Sequence, residues 1–228
     1  MKNNFIAELE FDSNIFKKPC YRITTENFEY IQSALLNFEF KKNIFIDAKV
    51  NAANKFLDIY LKNFGFHKVC MQVKLIFDIN QNSSNFKSKY CTESINLSDE
   101  KIKLHCDNFY YDRFSLDPRI SKVDRDNLYS SWIRNSLSNE SIIKAAIAEN
   151  FISFKLDGDI LKLDLSSVLD QGKGIGTLLL SDVVAYGTEN NFKQVSVMTE
   201  TENISAVRFY LQNGFHLDSF YSCFHYIT

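Results

Sequence analysis

A glycine-rich segment at 171–177, with the sequence QGKGIGT, constrains this chain more than any other feature. It follows an apolar-alternating run at 160–165 that is typical of a strand, and it leads into an apolar segment at 178–186 that favours a helix. Glycine lets a ligand approach the main chain closely. The first amides of a helix lack intrahelical partners and carry the positive end of the helix dipole. The segment therefore predicts a phosphate or pyrophosphate site, with an ordinary tight turn as the alternative.

Two better-known nucleotide-binding loops do not match this segment. The phosphate-binding loop of nucleoside triphosphatases needs a lysine and then Ser or Thr after its last glycine, whereas Thr177 follows Gly176 directly. The dinucleotide-binding fingerprint needs a different spacing of its three glycines and an acidic residue about twenty positions later. The glycines at 172, 174 and 176 do not have that spacing.

Composition limits the class of protein and its ligands. The chain has 228 residues, of which 45% are hydrophobic and 24% charged, which suits a globular protein of one large or two small domains. A net charge of −2 gives no overall basic field for nucleic acid. Five scattered cysteines and four scattered histidines favour neither a disulfide framework nor a metal site. The start lacks a secretory signal and no run is long enough to span a bilayer, so we expect a cytoplasmic protein without membrane contact.

Periodicity predicts alternating strands and helices. Helical spacing favours helices at 27–38, 54–64, 125–137 and 203–212. Alternating or short apolar runs favour strands at 5–11, 44–48, 69–79, 101–105, 142–148, 151–156, 160–165 and 194–199, with one or two more within 215–227. The polar stretch 81–98 predicts a linker between an N-terminal α/β domain (1–80) and a C-terminal domain (99–228).

An internal sequence similarity relates the two predicted domains. The segments 54–67 and 203–216 share an initial Asn, aromatic residues at equivalent helix positions, and an ending of Gly-Phe-His. Both predict a helix, a glycine that ends it, and a strand. The N-terminal half has no counterpart of the glycine-rich segment, so it is either a degenerate relative of the C-terminal half or a convergent unit.

The C-terminal region resembles the GNAT superfamily of acetyl-CoA-dependent N-acetyltransferases. The segment 171–176 fits that family's Gln/Arg-x-x-Gly-x-Gly/Ala loop, and a second family segment is matched by Asn203, Ala206, Phe209-Tyr210 and Gly214-Phe215. The resemblance covers about 100–228. It implies an α/β (α+β) GNAT fold, a mixed central sheet flanked by helices, here with a smaller N-terminal α/β half that resembles a degenerate GNAT unit.

A narrower resemblance concerns the acceptor. Arg113-Phe114-x-x-Asp117-Pro118 and the segment 128–136 are similar to the TDP-fucosamine acetyltransferase group, which acetylates a TDP-linked amino-dideoxy sugar for polysaccharide synthesis. The opening segment 9–16 is similar to that group as well. The residues before the loop, Ser166-Ser167-Val168, depart from the usual pattern, which leaves the strand end undefined.

The resemblance implies roles for individual residues. Acetyl-CoA, without a metal, is the expected acyl donor, and the residues expected to bind it are Leu165, Ser166, Ser167, Gln171, Gly172, Lys173, Gly174, Ile175, Gly176, Thr177, Asn203, Ala206 and Phe209. Tyr210 matches the family's general acid, which protonates the departing thiolate. Glu149 and Glu200 could each act as the base through water, with a solvated surface role as the alternative for each, so the base stays unassigned.

The expected acceptor is a small-molecule amino-sugar nucleotide. Its binding residues are expected to be Arg113, Phe114, Tyr129, Trp132 and Asn135, because arginine suits a diphosphate and aromatic faces suit a base or a hexose. The alternative for the aromatic residues is an ordinary role in the helix core. The sequence also leaves open a GNAT acetyltransferase of a protein N-terminus, polyamine or other small amine, and a non-catalytic acyl-CoA-binding module. A homodimer is compatible with the sequence.

Overall fold

The computed structural model describes residues 5–40, 42–79, 88–92 and 95–228. Within these residues ten strands form one sheet and seven helices flank it. The strands are β1 (Ile6–Glu8), β2 (Cys20–Ile23), β3 (Phe45–Asn51), β4 (His67–Asp78), β5 (Cys91–Thr92), β6 (Ile143–Ile147), β7 (Asn150–Asp157), β8 (Ile160–Ser167), β9 (Gln194–Glu200) and β10 (His216–Ile227). The helices are α1 (Glu10–Phe16), α2 (Phe28–Leu36), α3 (Lys55–Phe64), α4 (Asp99–Asp107), α5 (Lys122–Ser138), α6 (Ile175–Glu189) and α7 (Ile204–Gln212).

The sheet mixes parallel and antiparallel strands. Its order is β1-β2-β3-β10-β4-β9-β8-β7-β6-β5. The pairs β2–β3 and β8–β9 are parallel, and the other neighbours are antiparallel. The prediction of a mixed α/β sheet flanked by helices is therefore confirmed. None of the helices in the described ranges is both long and apolar enough to cross a bilayer.

The last strand ties the two halves of the chain together. β10 lies between β3 and β4, pairing Tyr221–Ile227 with Phe45–Asn51 on one side and running along β4 on the other. Strands from both sides of the predicted linker thus share one sheet. Residues 80–87 and 93–94 of that region lie outside the described ranges, and the division into domains stays a prediction.

The two helix–glycine–strand units have the same local geometry. Asn54 and Asn203 cap α3 and α7, each side-chain oxygen accepting a hydrogen bond from the amide three residues on at 3.1 Å. Gly65 and Gly214 follow the helices with φ of 106° and 86°, a region open to glycine. The strands that follow, β4 and β10, pair antiparallel. The common origin of the two units stays a hypothesis.

Two local predictions were wrong. The segment 101–105 was predicted as a strand, but it lies in α4, which Ser98 caps by accepting from the amide of Lys101 at 3.3 Å. Ile102, His105 and Cys106 form the buried face of that helix, and a five-residue window is too short to show the spacing. The segment 5–11 contains the short β1 and then the start of α1, so its weak alternation did not mark one strand.

Helices cover both faces of the sheet beside the glycine-rich segment. On one face, Leu179 and Val183 of α6 pack in a core with Val195 and Val197 of β9. On the other face, the apolar side of α5 packs with β7 and β8. β8 is therefore packed on both faces, and β9 is packed on the α6 face.

Candidate functional site

A cleft of about 1100 Å³ opens where β8 and β9 separate. The two strands pair only over Ile160–Lys162 and Gln194–Ser196. Beyond these residues the ladder stops, while each strand keeps its outer neighbour, β7 or β4. The facing edges of Leu163–Ser167 and Val197–Glu200 therefore offer backbone groups to a ligand.

A bulge in β8 decides which side chains face the cleft. The register with β7 shifts between Ser153 and Phe154, which leaves Asp164 as an extra residue. Leu161 packs on the α6 face of the sheet, whereas Leu165 packs on the α5 face. Simple alternation would have placed both on one face. The bulge thereby turns Ser166 toward the side of the sheet that carries α7.

The residues of β8 that were predicted to bind the coenzyme lie along this edge. The amide of Leu165 donates to Ser153 Oγ at 3.1 Å and so points toward β7. Ser166 lines the cleft and hydrogen-bonds the phenol of Tyr210. Because successive amides of a strand point to opposite edges, the amide of Ser166 faces the gap between the strands.

The side chain of Ser167 forms a hydrogen bond with the buried histidine His105. His105 Nε2 lies 2.9 Å from the carbonyl oxygen of Glu149, which can only accept, so this nitrogen carries the proton. His105 Nδ1 therefore accepts from Ser167 Oγ at 2.7 Å. Burial lowers the pKa of His105, opposed by the hydrogen bond to Glu149. The hydroxyl of Ser167 is thus occupied on the α4 side of β8.

The glycine-rich segment has the conformation its sequence predicts. Gly172 and Gly174 have φ of 77° and 76°. Gly174 occupies the N-cap position of α6, but it has no side chain that could accept from the first amides of the helix. These amides therefore have no capping partner. The segment lines one end of the cleft with Gln171, Gly172, Gly174, Ile175, Gly176 and Thr177. The Lys173 ammonium points to Asp170, whose Oδ1 is 2.7 Å away, and is largely exposed.

α7 closes the same end of the cleft. Ala206 and Phe209 line it, and Asn203 lies at its rim. The side-chain oxygen of Asn203 accepts from the amide of Ala206 and from Ser205 Oγ, so its capping role is occupied. Phe209 packs against Gly176 at the start of α6.

Tyr210 lies deeper in the cleft, one helix position further on. Its side chain is buried and packs against Phe209 and Phe215, with ring centroids 5.1 Å and 5.3 Å apart. Burial raises the pKa of Tyr210 to about 12, opposed by the hydrogen bond with Ser166. The phenol is therefore protonated at neutral pH and can act as a proton donor.

The structure separates the two glutamates that the sequence left open. Glu149 Oε2 binds Lys101 Nζ at 2.7 Å on the surface, and its carboxylate is half-exposed. Glu200 instead lines the cleft and is 8% exposed. Its Oε1 accepts from Gln72 Nε2 at 2.8 Å and from the amide of Arg113 at 3.3 Å. Burial raises the pKa of Glu200, opposed by the Gln72 hydrogen bond and the Arg113 charge.

The predicted acceptor residues are only partly brought together. Arg113, Tyr129 and Trp132 line the cleft, whereas Phe114 and Asn135 line an adjoining cavity of about 450 Å³. Phe114 is buried, and Cζ of the Arg113 guanidinium lies over its ring, 4.4 Å from the ring centroid. Tyr129 is buried and stacked on Trp132 with centroids 5.8 Å apart.

Trp132 is oriented by the bulge in β8. Its Nε1 donates to Asp164 Oδ2 at 3.1 Å, and Ser136 Oγ lies at the same distance from that oxygen. Lys155 Nζ binds the other carboxylate oxygen of Asp164 at 2.8 Å. The bulge residue thus fixes an aromatic face at the boundary of the two cavities.

Three cations of the site were missed from the sequence. Arg22 of β2 and Lys49 of β3 line both cavities, as does Lys155 of β7. Lys49 and the buried Asp47 interrupt the otherwise apolar run 45–50 of β3. These two charges could have indicated a functional site from the sequence, because charges buried in a strand need a partner or a function.

The residues present fit a coenzyme A pyrophosphate. Gly172 and Gly174 hold a backbone turn ahead of the uncapped start of α6, where amides and the helix dipole favour an anion. The missing side chain at Gly176 leaves the backbone close to Phe209 and open to the cleft. The unpaired strand edges then continue from this end of the cleft toward Tyr210 and Glu200.

The fold and the site define a GNAT-fold protein. The solved structure of a GCN5-related N-acetyltransferase from Sphaerobacter thermophilus has a TM-score of 0.57 to this chain, covering 97% of this chain and 76% of that one at 12% identity. At this identity the likeness establishes the fold alone.

A family model matches one part of the chain. The acetyltransferase (GNAT) family model matches residues 170–215, from the glycine-rich segment to the end of the second motif. Together with the fold, this match supports a GNAT superfamily acetyltransferase. The narrower likeness to the TDP-fucosamine group remains a resemblance.

Two curated relatives come from Bacillus subtilis. The spore coat polysaccharide biosynthesis protein SpsD is 25% identical over 126 residues, which is 52% of this chain and 44% of SpsD. The uncharacterized protein YxbD is 41% identical over 56 residues, which is 25% of this chain and 35% of YxbD. The matches thus span less than half the length of these relatives.

Proposed function

We propose that the protein is an acetyl-CoA-dependent N-acetyltransferase that acts on the amino group of a nucleotide-linked, TDP-type amino-dideoxy sugar. One observation carries the proposal. A single cleft runs from the uncapped start of α6, between the separated strands, to Tyr210, Glu200 and Arg113. The similarity to SpsD, whose name refers to polysaccharide biosynthesis, supports a sugar acceptor.

The backbone of 171–177 binds the donor, and Tyr210 completes the transfer. Acetyl-CoA supplies an activated acetyl thioester when bound. The acceptor nitrogen forms a bond to the acetyl carbon while the carbon–sulfur bond breaks. Tyr210 gives its phenolic proton to the departing sulfur, a role that its protonated state at neutral pH allows. The acylated nitrogen releases its second proton to solvent, and the phenolate of Tyr210 takes a proton back from solvent. Ser166 lies beside the phenol in the cleft.

Glu200 accepts the proton that the acceptor ammonium must lose. It reaches the cleft from the end of β9, and Gln72 and the amide of Arg113 hold its carboxylate in place. Burial raises the pKa of Glu200, which brings a carboxylate closer to the strength a base needs near neutral pH. Glu149, paired with Lys101 at the surface, is not proposed for this role.

Arg113 and Trp132 favour a sugar nucleotide over other acceptors. A guanidinium binds phosphate oxygens in pairs, and an indole face suits a hexose or a base. A polyamine acceptor needs a predominantly acidic groove, whereas cations and carboxylates both line the acceptor end of the cleft, among them Lys49, Arg113 and Glu200. The second candidate is therefore another anionic or neutral amine, not a polycation.

The test is turnover with a panel of acceptors. The protein is incubated with acetyl-CoA and TDP-linked amino sugars, free amino sugars, polyamines or peptides, and thiol release is followed. We expect release with a TDP-amino sugar at a kcat/KM well above that of the other amines. A preference for a polyamine or a peptide would show that the acceptor is not a sugar nucleotide. The absence of thiol release with every amine would favour a non-catalytic acyl-CoA-binding module.

A further inference from the structure

Lys49 is a half-buried cation without a carboxylate partner among the described residues. It lies on β3, and the hydrogen bond of its ammonium goes to Met198 Sδ at 3.5 Å. A thioether is a weak acceptor and leaves most of the ammonium's hydrogen-bonding capacity unused. Burial lowers the pKa of Lys49, and the nearby charge of Arg113 lowers it further, against the opposing charges of Cys223 and Asp47.

Two arginines share one carboxylate beside it. Asp47 Oδ2 lies 2.6 Å from Arg22 Nη2 and 3.9 Å from Arg113 Nη2. Burial acts to raise the pKa of Asp47, but Arg113 and Arg22 outweigh it and hold the pKa at about 2, so Asp47 is ionised. Asp47 is therefore shared by the two arginines, and the carboxylate of Glu200 also acts on Arg113. Asp12 also faces the two arginines, and burial raises its pKa against their charges.

The three cations stand where the two cavities meet. Arg22, Lys49 and Arg113 line both the cleft and the adjoining cavity of about 450 Å³. Arg113 Nε is buried and has no hydrogen-bond partner among the described residues. Cations with unused donors at an open boundary are what an anionic ligand requires.

We propose that Lys49, Arg22 and Arg113 form a subsite for a phosphate or diphosphate group of the acceptor. The inference rests on the proposed function, because it assigns this group to the molecule that presents the amine. It gives the N-terminal half a recognition role, since β2 and β3 supply two of the three cations. Arginine forks bind two phosphate oxygens each, and Lys49 contributes a compact charge.

Pyrophosphate is the probe, and the single tryptophan is the reporter. The chain has one tryptophan, Trp132, which lines both cavities. The fluorescence of Trp132 is followed while sodium pyrophosphate is added to protein saturated with coenzyme A. Saturation blocks the pyrophosphate site at 171–177, so the remaining binding reports the acceptor side. Succinate is titrated in parallel as a dicarboxylate.

Lys49→Met removes the unpaired charge at nearly constant length. We expect it to weaken pyrophosphate binding about tenfold or more, as for the loss of a charged hydrogen bond. Lys68→Met is the matched control, since Lys68 lies on β4 of the same sheet, outside the cleft, and pairs with Asp58 at 3.2 Å. It should leave the pyrophosphate Kd unchanged. Lys49→Gln repeats the test if the methionine variant unfolds.

The outcomes separate this subsite from the enzymatic proposal. Equal pyrophosphate Kd values for the wild type and both Lys49 variants would overturn the subsite, and so would the absence of binding in the presence of coenzyme A. Succinate binding as tightly as pyrophosphate would overturn the phosphate assignment. Lys49-dependent pyrophosphate binding without acetyl transfer to any TDP-amino sugar would keep the subsite and reject the proposed acceptor.

Discussion

The ring of Phe209 occupies the space that a side chain on Gly176 would enter. A Cβ on Gly176 would lie 3.2 Å from Cε2 and 3.3 Å from Cζ of that ring. Contacts this short are closer than ordinary van der Waals packing, so glycine lets α7 approach the start of α6. The contact couples the proposed pyrophosphate site to the helix that carries Tyr210.

Gly176→Ala should therefore disturb both stability and donor binding. We expect the free energy of unfolding to fall by about 1–3 kcal/mol, as for other overpacked sites, and the Kd for acetyl-CoA to rise. Denaturant unfolding and calorimetric titration measure the two effects. Phe209→Leu in the same chain should recover part of the loss by removing the ring.

Gly172→Ala provides the contrast. No atom lies within 4 Å of a Cβ built on Gly172, but its φ of 77° disfavours alanine. The loss of stability in Gly172→Ala should come from backbone strain, so Phe209→Leu should not reduce that loss. Equal recovery of both alanine variants, or of neither, would contradict the packing explanation.

Tyr210→Phe should lower kcat with little change in acetyl-CoA affinity. The phenylalanine keeps the packing against Phe209 and Phe215 but removes the proposed proton donor. We expect a loss of about tenfold or more, in the usual range for general acid catalysis. Tyr186→Phe, on α6 and packed against Phe154, is the control and should keep kcat. Undiminished turnover by Tyr210→Phe would remove it from the mechanism.

Glu200→Gln should lower kcat and change its pH dependence. The base acts when ionised, so the rate should fall as the pH drops through a pKa that burial raises above the ordinary glutamate value. The glutamine variant should lose that acidic limb and turn over about a hundredfold more slowly. Glu149→Gln should keep both the rate and the limb, because its carboxylate pairs with Lys101 at the surface. A limb retained in Glu200→Gln would assign the titration to another group.

Asp47→Asn should destabilise the protein at neutral pH and much less in acid. Burial acts to raise the pKa of Asp47, but Arg113 and Arg22 hold it at about 2, below its ordinary 3.8. A lowered carboxyl pKa stabilises the fold above the unfolded-state pKa, and this contribution disappears as the pH falls through the folded-state value. The shift corresponds to about 2 kcal/mol.

Urea unfolding of both proteins from pH 7 to pH 2 tests this. The difference in unfolding free energy should be constant down to about pH 4 and then shrink toward pH 2. Asp58→Asn, at a carboxylate that pairs with Lys62 and Lys68 near the surface, should show a smaller difference throughout. A difference for Asp47→Asn that did not depend on pH would contradict the ion-pair explanation.

The sequence by itself determined the local elements of the site. Helical spacing predicted α3, α5 and α7, and the asparagines before α3 and α7 became their caps. The glycine-rich segment adopted the turn and helix start expected of it. These features depend on neighbours a few residues away, and such contacts can be recognised along the chain.

Only the tertiary structure decided which distant residues share the cleft. The bulge at Asp164 reversed the alternation of β8, and no local pattern marked it. Glu200 and Glu149 were equal candidates until the strand geometry placed one in the cleft and the other against Lys101. Lys49 joined the site because β10 brings β3 into the same sheet as β9. Strand order and register depend on contacts between residues far apart in the chain, which is why the sequence pattern alone did not reveal them.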